Sequence, residues 1–177
     1  MPPVEIPLDS WQQEPPLVDE GEFTPNAEPG FHAWNGMSPE LEFAELAADI
    51  ARMMWAAVVI ETGVGQGYTT RRLLPFAYTL MAFESDPELR TRLSEVMDIM
   101  PYPTPTSEDY RAADLVILDS DPTYRLNEIA EWRRHAGPGC VLLVHDTAAQ
   151  HPHINQAVSR MQGVYFRNPR GAFLAIK

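Results

Sequence analysis

The sequence predicts an α/β fold: a doubly wound, mostly parallel seven-stranded sheet that ends in a C-terminal antiparallel hairpin. Three observations predict it. Short apolar runs such as Leu115-Val-Ile-Leu118 and Cys140-Val-Leu-Leu-Val144 alternate with stretches of helical spacing, the pattern of a sheet covered by crossover helices. An earlier apolar run, Ala57-Val-Val-Ile60, leads directly into a glycine-rich turn, Glu61-Thr-Gly63-Val-Gly65-Gln-Gly67, followed by a helical segment. The chain closes on two apolar runs, 164–166 and 171–176, joined through Asn168-Pro169-Arg170. So short a connection permits only antiparallel pairing.

The elements follow in order. Residues 1–36 carry seven of the 17 prolines and no lasting periodicity. They read as an acidic, Pro-rich leader ahead of one domain over residues 37–177. The leader is either a solvated tail or an arm draped on the core through Trp11, Phe23, Phe31 and Trp34. Ser38-Pro39-Glu40 starts a helix, with a hydroxyl cap, a proline in the first turn and acids near the positive end. Leu41, Ala44, Ala48, Ala51 and Met54 continue it at helical spacing. A strand over 57–60 meets the glycine turn, and a short helix over 69–74 stops at Pro75. A second strand spans 78–83, and a helix over 86–100 is capped by Asp86 with Pro87 behind it. Residues 101–109 hold three prolines, so a third strand there must be short. Strand 115–118, helix 124–136, the turn Gly137-Pro-Gly139, strand 140–144 and a helix over 154–162 lead to the closing pair.

Composition narrows the function. With 177 residues, 45% of them hydrophobic, the chain can bury one ordinary core. The net charge of −12 sits unevenly: residues 1–51 hold eleven acids and no Lys or Arg, leaving 14 acids against all 13 basic residues elsewhere. This balance argues against tight duplex nucleic-acid binding, which needs a basic patch, and leaves a small nucleotide or sugar ligand open. The one cysteine, Cys140, can neither staple the chain nor build a zinc cage, and it points to a reducing, cytoplasmic location. No apolar run is long enough for a membrane span, and the N-terminus lacks the pattern of a secretory signal. The sole lysine is the terminal Lys177, so no interior lysine can act as a base. Nothing in the sequence sets the oligomeric state.

The glycine turn carries the chemistry. Glycines let the backbone approach a ligand closely and adopt positive φ, and the first amides of the following helix favour polar or anionic groups. Glu84 ends the second strand 21 positions after Gly63, where a carboxylate can accept both hydroxyls of a ribose. A dinucleotide fingerprint needs a third glycine five positions after the first, and Tyr68 stands there. Glu61, at the end of the strand, would repel a pyrophosphate and suit an ammonium. The loop therefore fits an amino-acid nucleoside better than NAD. The bland alternative is a tight strand–helix turn with no ligand.

Glu61 to Gly67 with Glu84 resembles the cofactor loop of class I S-adenosylmethionine-dependent methyltransferases. Ala113-Asp-Leu-Val-Ile-Leu-Asp119-Ser-Asp121 is similar to that family's fourth strand, and Ala136 to Thr147 to its glycine turn and fifth strand. The resemblance covers roughly residues 36–177. It implies S-adenosylmethionine (SAM) as cofactor, with Gly63, Gly65 and Gly67 beneath it, Glu61 facing its amino group and Glu84 its ribose. Tyr68, Ser85 and Asp119 would border the same site. The family's acid for the adenine has no clean counterpart; Glu108 and Asp109 are the candidates.

Asp119 and the pair His145-Asp146 end successive strands and should converge at the carboxyl edge of the sheet, where open α/β sheets bind ligands. Such a set can hold a hard cation such as Mg2+ through Asp119 and Asp146, or deprotonate a hydroxyl with His145 and Asp146 as the catalytic pair. It can also simply cap helices, for Asp146 and still more for Asp121, which precedes Pro122. Asp119-Ser-Asp121 and Tyr124 with His145-Asp146 also resemble the macrocin and cephalosporin-tailoring O-methyltransferases. That likeness implies a small-molecule or sugar acceptor. The lysine of catechol-type enzymes is missing, since Pro122 lies in its region. The alternative function is a nucleoside-binding module without chemistry.

Overall fold

A computed structural model of the chain describes residues 4–7, 41–65, 67–95, 98–149, 151–167 and 170–177. The leader beyond Val4–Pro7, the Ser38-Pro39-Glu40 start and the Asn168-Pro169 turn lie outside the described residues. In chain order the elements are β1 (Val4–Pro7), α1 (Leu41–Met54), β2 (Val58–Thr62), α2 (Tyr68–Leu73), β3 (Thr79–Phe83), α3 (Pro87–Leu93), α4 (Ser107–Ala112), β4 (Leu115–Leu118), α5 (Pro122–His135), β5 (Val141–His145), α6 (Pro152–Val158), β6 (Val164–Arg167) and β7 (Ala172–Ile176).

Six strands between Val58 and Ile176 make a mixed sheet in the order β6-β7-β5-β4-β2-β3. Strands β3, β2, β4 and β5 run parallel, and β7 runs against both β5 and β6. β1 extends the β6 edge in parallel, from Val4 opposite Val164 to Pro7 opposite Arg167. No strand was expected at that point, because Val4-Glu-Ile6 alternates over too few residues to stand out among Pro2, Pro3 and Pro7.

Two expectations fail in the middle of the chain. No strand forms over 101–109; that stretch ends in α4 instead. Thr106 accepts from the Asp109 amide while the Asp109 carboxylate accepts from the Thr106 amide at 2.7 Å, a capping box that commits the segment to a helix start. The Asp86-capped helix stops at Leu93 rather than Met100, and Met100 instead donates its amide to Ala82 O at 2.9 Å beside β3.

The core follows from strand alternation. Val116 and Leu118 of β4 face one side, with Ile129 and Trp132 of α5 and Ile154 and Val158 of α6. Leu115 and Ile117 face the other, with Phe43, Ala47 and Ile50 of α1 and Leu73 of α2. Burial on both faces explains why β4 and β5 are continuous apolar runs. Each fully buried leucine or isoleucine contributes about 1.5–3 kcal/mol. Cys140 is buried, and Trp132 Nε1 donates to its sulfur at 3.3 Å. Among the described residues no helix is long and apolar enough to cross a membrane.

One consequence of this order sets the site. From β2 the chain moves outward to β3, then returns to place β4 on the other side of β2. The loops after β2 and β4 therefore diverge and leave a crevice at the carboxyl ends of the strands.

Candidate active site

The glycine loop fills one wall of that crevice. Gly63, Gly65 and Gly67 all have positive φ, at 74, 58 and 76°. Gly63 shows why the residue type is required: a Cβ there would lie 2.4 Å from the carbonyl oxygen of Asp119 and 2.5 Å from the Ser120 amide nitrogen. The two diverging loops thus touch backbone to backbone.

Glu84 directly follows β3, and its carboxylate turns to the loop. One carboxylate oxygen accepts from the Gly65 amide at 2.8 Å, and the other from the Asp86 amide at 2.8 Å. Arg90 pins the segment by donating to the Glu84 carbonyl at 2.8 Å. Glu61 ends β2 as a buried carboxylate, and its Oε2 has no hydrogen-bond partner among the described residues. Burial pushes its pKa up to about 8; Thr70 opposes the shift, while the charges of Asp119 and Glu84 add to it. A buried carboxylate with an unpaired oxygen is expensive in the empty fold and fits a cationic ligand group.

The second wall is built at the ends of β4 and β5. Asp119 Oδ1 accepts from His145 Nδ1 at 2.7 Å; the nitrogen is the donor because an ionised carboxylate only accepts. His145 is 0% exposed and stacks on the Phe43 ring at 4.1 Å between centroids. Asp146 is non-glycine yet has φ 57°, a left-handed conformation that needs outside support. The support is ionic. Arg170 Nε lies 2.6 Å from Oδ1 and Arg170 Nη2 2.9 Å from Oδ2, while Arg125 Nη1 lies 3.1 Å from Oδ2. Burial alone would raise the Asp146 carboxyl, but His145, Arg125, Arg170 and His151 together hold it below the usual carboxylate range.

Arg125 and Glu128 escaped the sequence reading. Arg125, 2% exposed, leaves the first turns of α5 and donates to the His145 carbonyl at 2.8 Å and to the Ser120 carbonyl. It also lies 3.4 Å from Asp119 Oδ1. Glu128 accepts from Ser120 Oγ at 2.5 Å and Thr62 Oγ1 at 3.1 Å, fastening the loops after β2 and β4 from below. A signal for both existed. Positions 125, 128, 129 and 132 share one buried helix face, so two charged residues stand in register with Ile129 and Trp132.

The walls enclose a cleft of about 380 Å3. Of the expected residues, Gly63, Gly65, Glu84, Ser85, Asp119 and Asp146 line it. Glu61 and His145 are buried and stand outside the lining, with His145 hydrogen-bonded to Asp119. Gly67 and Tyr68 open α2 outside the lining, where Arg72 packs over the Tyr68 ring and donates to its hydroxyl at 2.9 Å. Asp121 does cap α5, accepting from the Thr123 amide at 2.9 Å. Asp146 caps nothing: the next helix, α6, begins at Pro152 behind His151. Glu108 and Asp109 do not reach the cleft; Glu108 pairs with Arg111, and Asp109 serves the capping box. The apolar stretch beside the glycine loop is instead Val64, Leu89 and Leu93 with Ile99. Asp119, His145 and Asp146 can each bring one ligand atom within 4.8 Å of the others, so the donor set for a cation is present.

Solved structures share this fold. An O-methyltransferase from Bacillus cereus, in complex with S-adenosylhomocysteine (SAH), superposes with a TM-score of 0.61 at 10% identity, over 81% of this chain and 84% of that one. The O-methyltransferase TomG from Streptomyces achromogenes, involved in tomaymycin synthesis and bound to SAM, gives 0.59 at 14% identity, over 79% and 81%. The fold is that of the SAM-dependent methyltransferases. The ribosomal protein L11 methylase of Lactobacillus delbrueckii subsp. bulgaricus gives 0.60 at 20% identity, over 98% of this chain and 94% of that one. No family model and no curated protein sequence matches the chain.

Proposed function

We propose that the chain binds SAM in this cleft and transfers its methyl group to an oxygen of a small molecule or sugar. The observation that carries the reading is a pair of buried carboxylates, Glu61 and Glu84, flanking a three-glycine loop at the switch point of the sheet. O- and N-methyltransferases among the structural neighbours, one of them a sugar N-methyltransferase, support it.

Bound SAM supplies a methyl group on a positively charged sulfur. The chain's own residues suit that charge. The cleft wall presents the carboxylates of Glu84, Asp86, Asp119, Asp121 and Asp146 against the guanidiniums of Arg125 and Arg170. An acidic wall favours a cationic donor and an uncharged acceptor hydroxyl, and disfavours a pyrophosphate or a nucleic-acid backbone. Glu84 retains lone pairs for ribose hydroxyls, Glu61 has an oxygen for an ammonium, and Leu89 offers an apolar surface for a flat base. Asp119 faces the acceptor and accepts its proton, with His145 holding the carboxylate from behind. Asp146, with its depressed pKa, remains a fixed anion rather than a proton acceptor. Most of the acceleration then comes from holding donor and acceptor in line.

Calorimetry on the full chain should show one SAH bound, and Glu84→Ala should weaken it by about 1.5–3 kcal/mol, the scale of hydrogen bonds to a charged group. Tight NAD binding without SAH binding would refute the reading. Labelled SAM offered with a panel of polyols, phenols and amines then tests transfer. A chain that binds SAH and labels none of them fits the binding-module alternative.

A further inference from the structure

The donor set for a cation is complete, but its charge is already balanced from inside the chain. Asp119 Oδ1 is shared between His145 Nδ1 at 2.7 Å and Arg125 Nη2 at 3.4 Å. Asp146 Oδ2 lies against Arg125 at 3.1 Å and Arg170 at 2.9 Å, and its Oδ1 lies 2.6 Å from Arg170 Nε. The Nδ1 of His145, the nitrogen nearest both carboxylates, is spent on Asp119. A divalent ion between these carboxylates would displace contacts that a buried guanidinium now makes. It would also stand beside a like charge where little water screens it.

We infer that Arg125 fills the place a divalent cation would take, so that the Asp119–Asp146 site works without a metal. The geometry supports this beyond charge. The fork of Arg125 reaches both carboxylates and also the carbonyls of Ser120 and His145, so it ties the end of β4 to the end of β5. An arginine suits this task because its planar donors have fixed directions and its charge is permanent. Its anchorage on α5 is firm, since the helix is capped by Asp121 and buries Ile129 and Trp132 on the same face. Arg125 is thus a positioning residue: it fixes Asp119, the carboxylate that faces the cleft. This inference stands on the chain's own contacts and does not require SAM to be the ligand.

The test is a titration of the full chain with Mn2+ alone, with free ion read from its solution magnetic-resonance signal. Wild type should bind no stoichiometric Mn2+ up to about 1 mM, weaker than carboxylate sites built for divalent ions. Arg125→Gln, which removes the guanidinium that bridges Asp119 and Asp146 while Arg170 stays on Asp146, should gain one site at least about 10-fold tighter, and Arg125→Lys should not. One Mn2+ bound tightly by wild type and lost in Asp146→Asn overturns the inference. So does a folded Arg125→Gln that gains no Mn2+. If Arg125→Gln does not fold, the wild-type and Asp146→Asn titrations decide alone. SAH calorimetry on the same wild-type sample reports separately on the methyltransferase reading.

Discussion

Gly63→Ala should destabilise the protein by about 2–5 kcal/mol and abolish SAH binding. Two effects add. An L-residue at φ 74° carries about 1–2 kcal/mol of left-handed strain. Its Cβ would also lie within 2.4–2.5 Å of the Asp119 carbonyl and the Ser120 amide nitrogen. Those atoms are backbone, held by the Asp119 amide to Thr62 O at 3.0 Å and by Ser120 Oγ to Glu128 at 2.5 Å, so neither can move away alone. Overpacking of this kind costs about 1–3 kcal/mol more. Gly139→Ala is the control. Gly139 has φ 85°, yet nothing lies within 4 Å of its added Cβ. It should lose only the strain, about 1–2 kcal/mol, and keep SAH affinity. Urea melts of both variants check the difference. Equal losses would mean that the loop after β2 does not rest on the loop after β4, and the cleft would need another account.

The same contact shows what the sequence could and could not reveal. The order of strands and helices was legible because β4 and β5 are buried on both faces, which leaves uninterrupted apolar runs. The carboxyl-end placement of Gly63, Glu84 and Asp119 followed from that order alone, since each closes a strand or begins the loop after it. Residues 101–109 misled because a capping box, Thr106 with Asp109, is a side-chain event that strand length and proline count do not display. Arg125 and Glu128 were hidden for a different reason. Charged residues on a helix are ordinarily solvated, and only the partners on β2, β4 and β5 make a buried place for them. Likewise nothing local marks Asp146 as a left-handed residue; its φ is sustained by arginines 21 and 24 positions away. His145 shows the reverse limit. Its position was readable, but its seal beneath Phe43 was not, and that seal moves the cleft-facing role to Asp119.

Glu61→Gln should make the empty protein more stable at pH 8–9 while leaving it unchanged near pH 5. The carboxyl is raised from 4.5 to about 8, chiefly by burial. A folded value above the unfolded one means that the native state holds the proton more tightly. Its contribution is fully present below the unfolded pKa and is lost as pH rises through the folded one. Between pH 4.5 and about 8 the unfolding free energy should therefore fall, by at most about 5 kcal/mol from this group. Glutamine mimics the protonated carboxyl and does not titrate, so its variant should lack that slope. Glu128, also raised by burial, slopes the same way in both proteins and cancels in the difference. Urea unfolding from pH 5 to pH 9 measures it. If the two proteins track each other across the range, Glu61 is not a buried titrating group. The ligand gives the second half. An ammonium beside Glu61 favours its ionised form, so SAH binding to wild type should release a proton below pH 8 and tighten as pH rises from 6 to 8. Calorimetry in two buffers of different ionisation enthalpy detects the released proton. Glu61→Gln should release none and bind more weakly at pH 8 by about 1.5–3 kcal/mol, the scale of a lost contact to a charged group. The variant would then be the more stable protein and the poorer binder. That combination separates a carboxylate kept for a cationic ligand from one kept for the fold, because a structural carboxylate would lose stability on the same substitution.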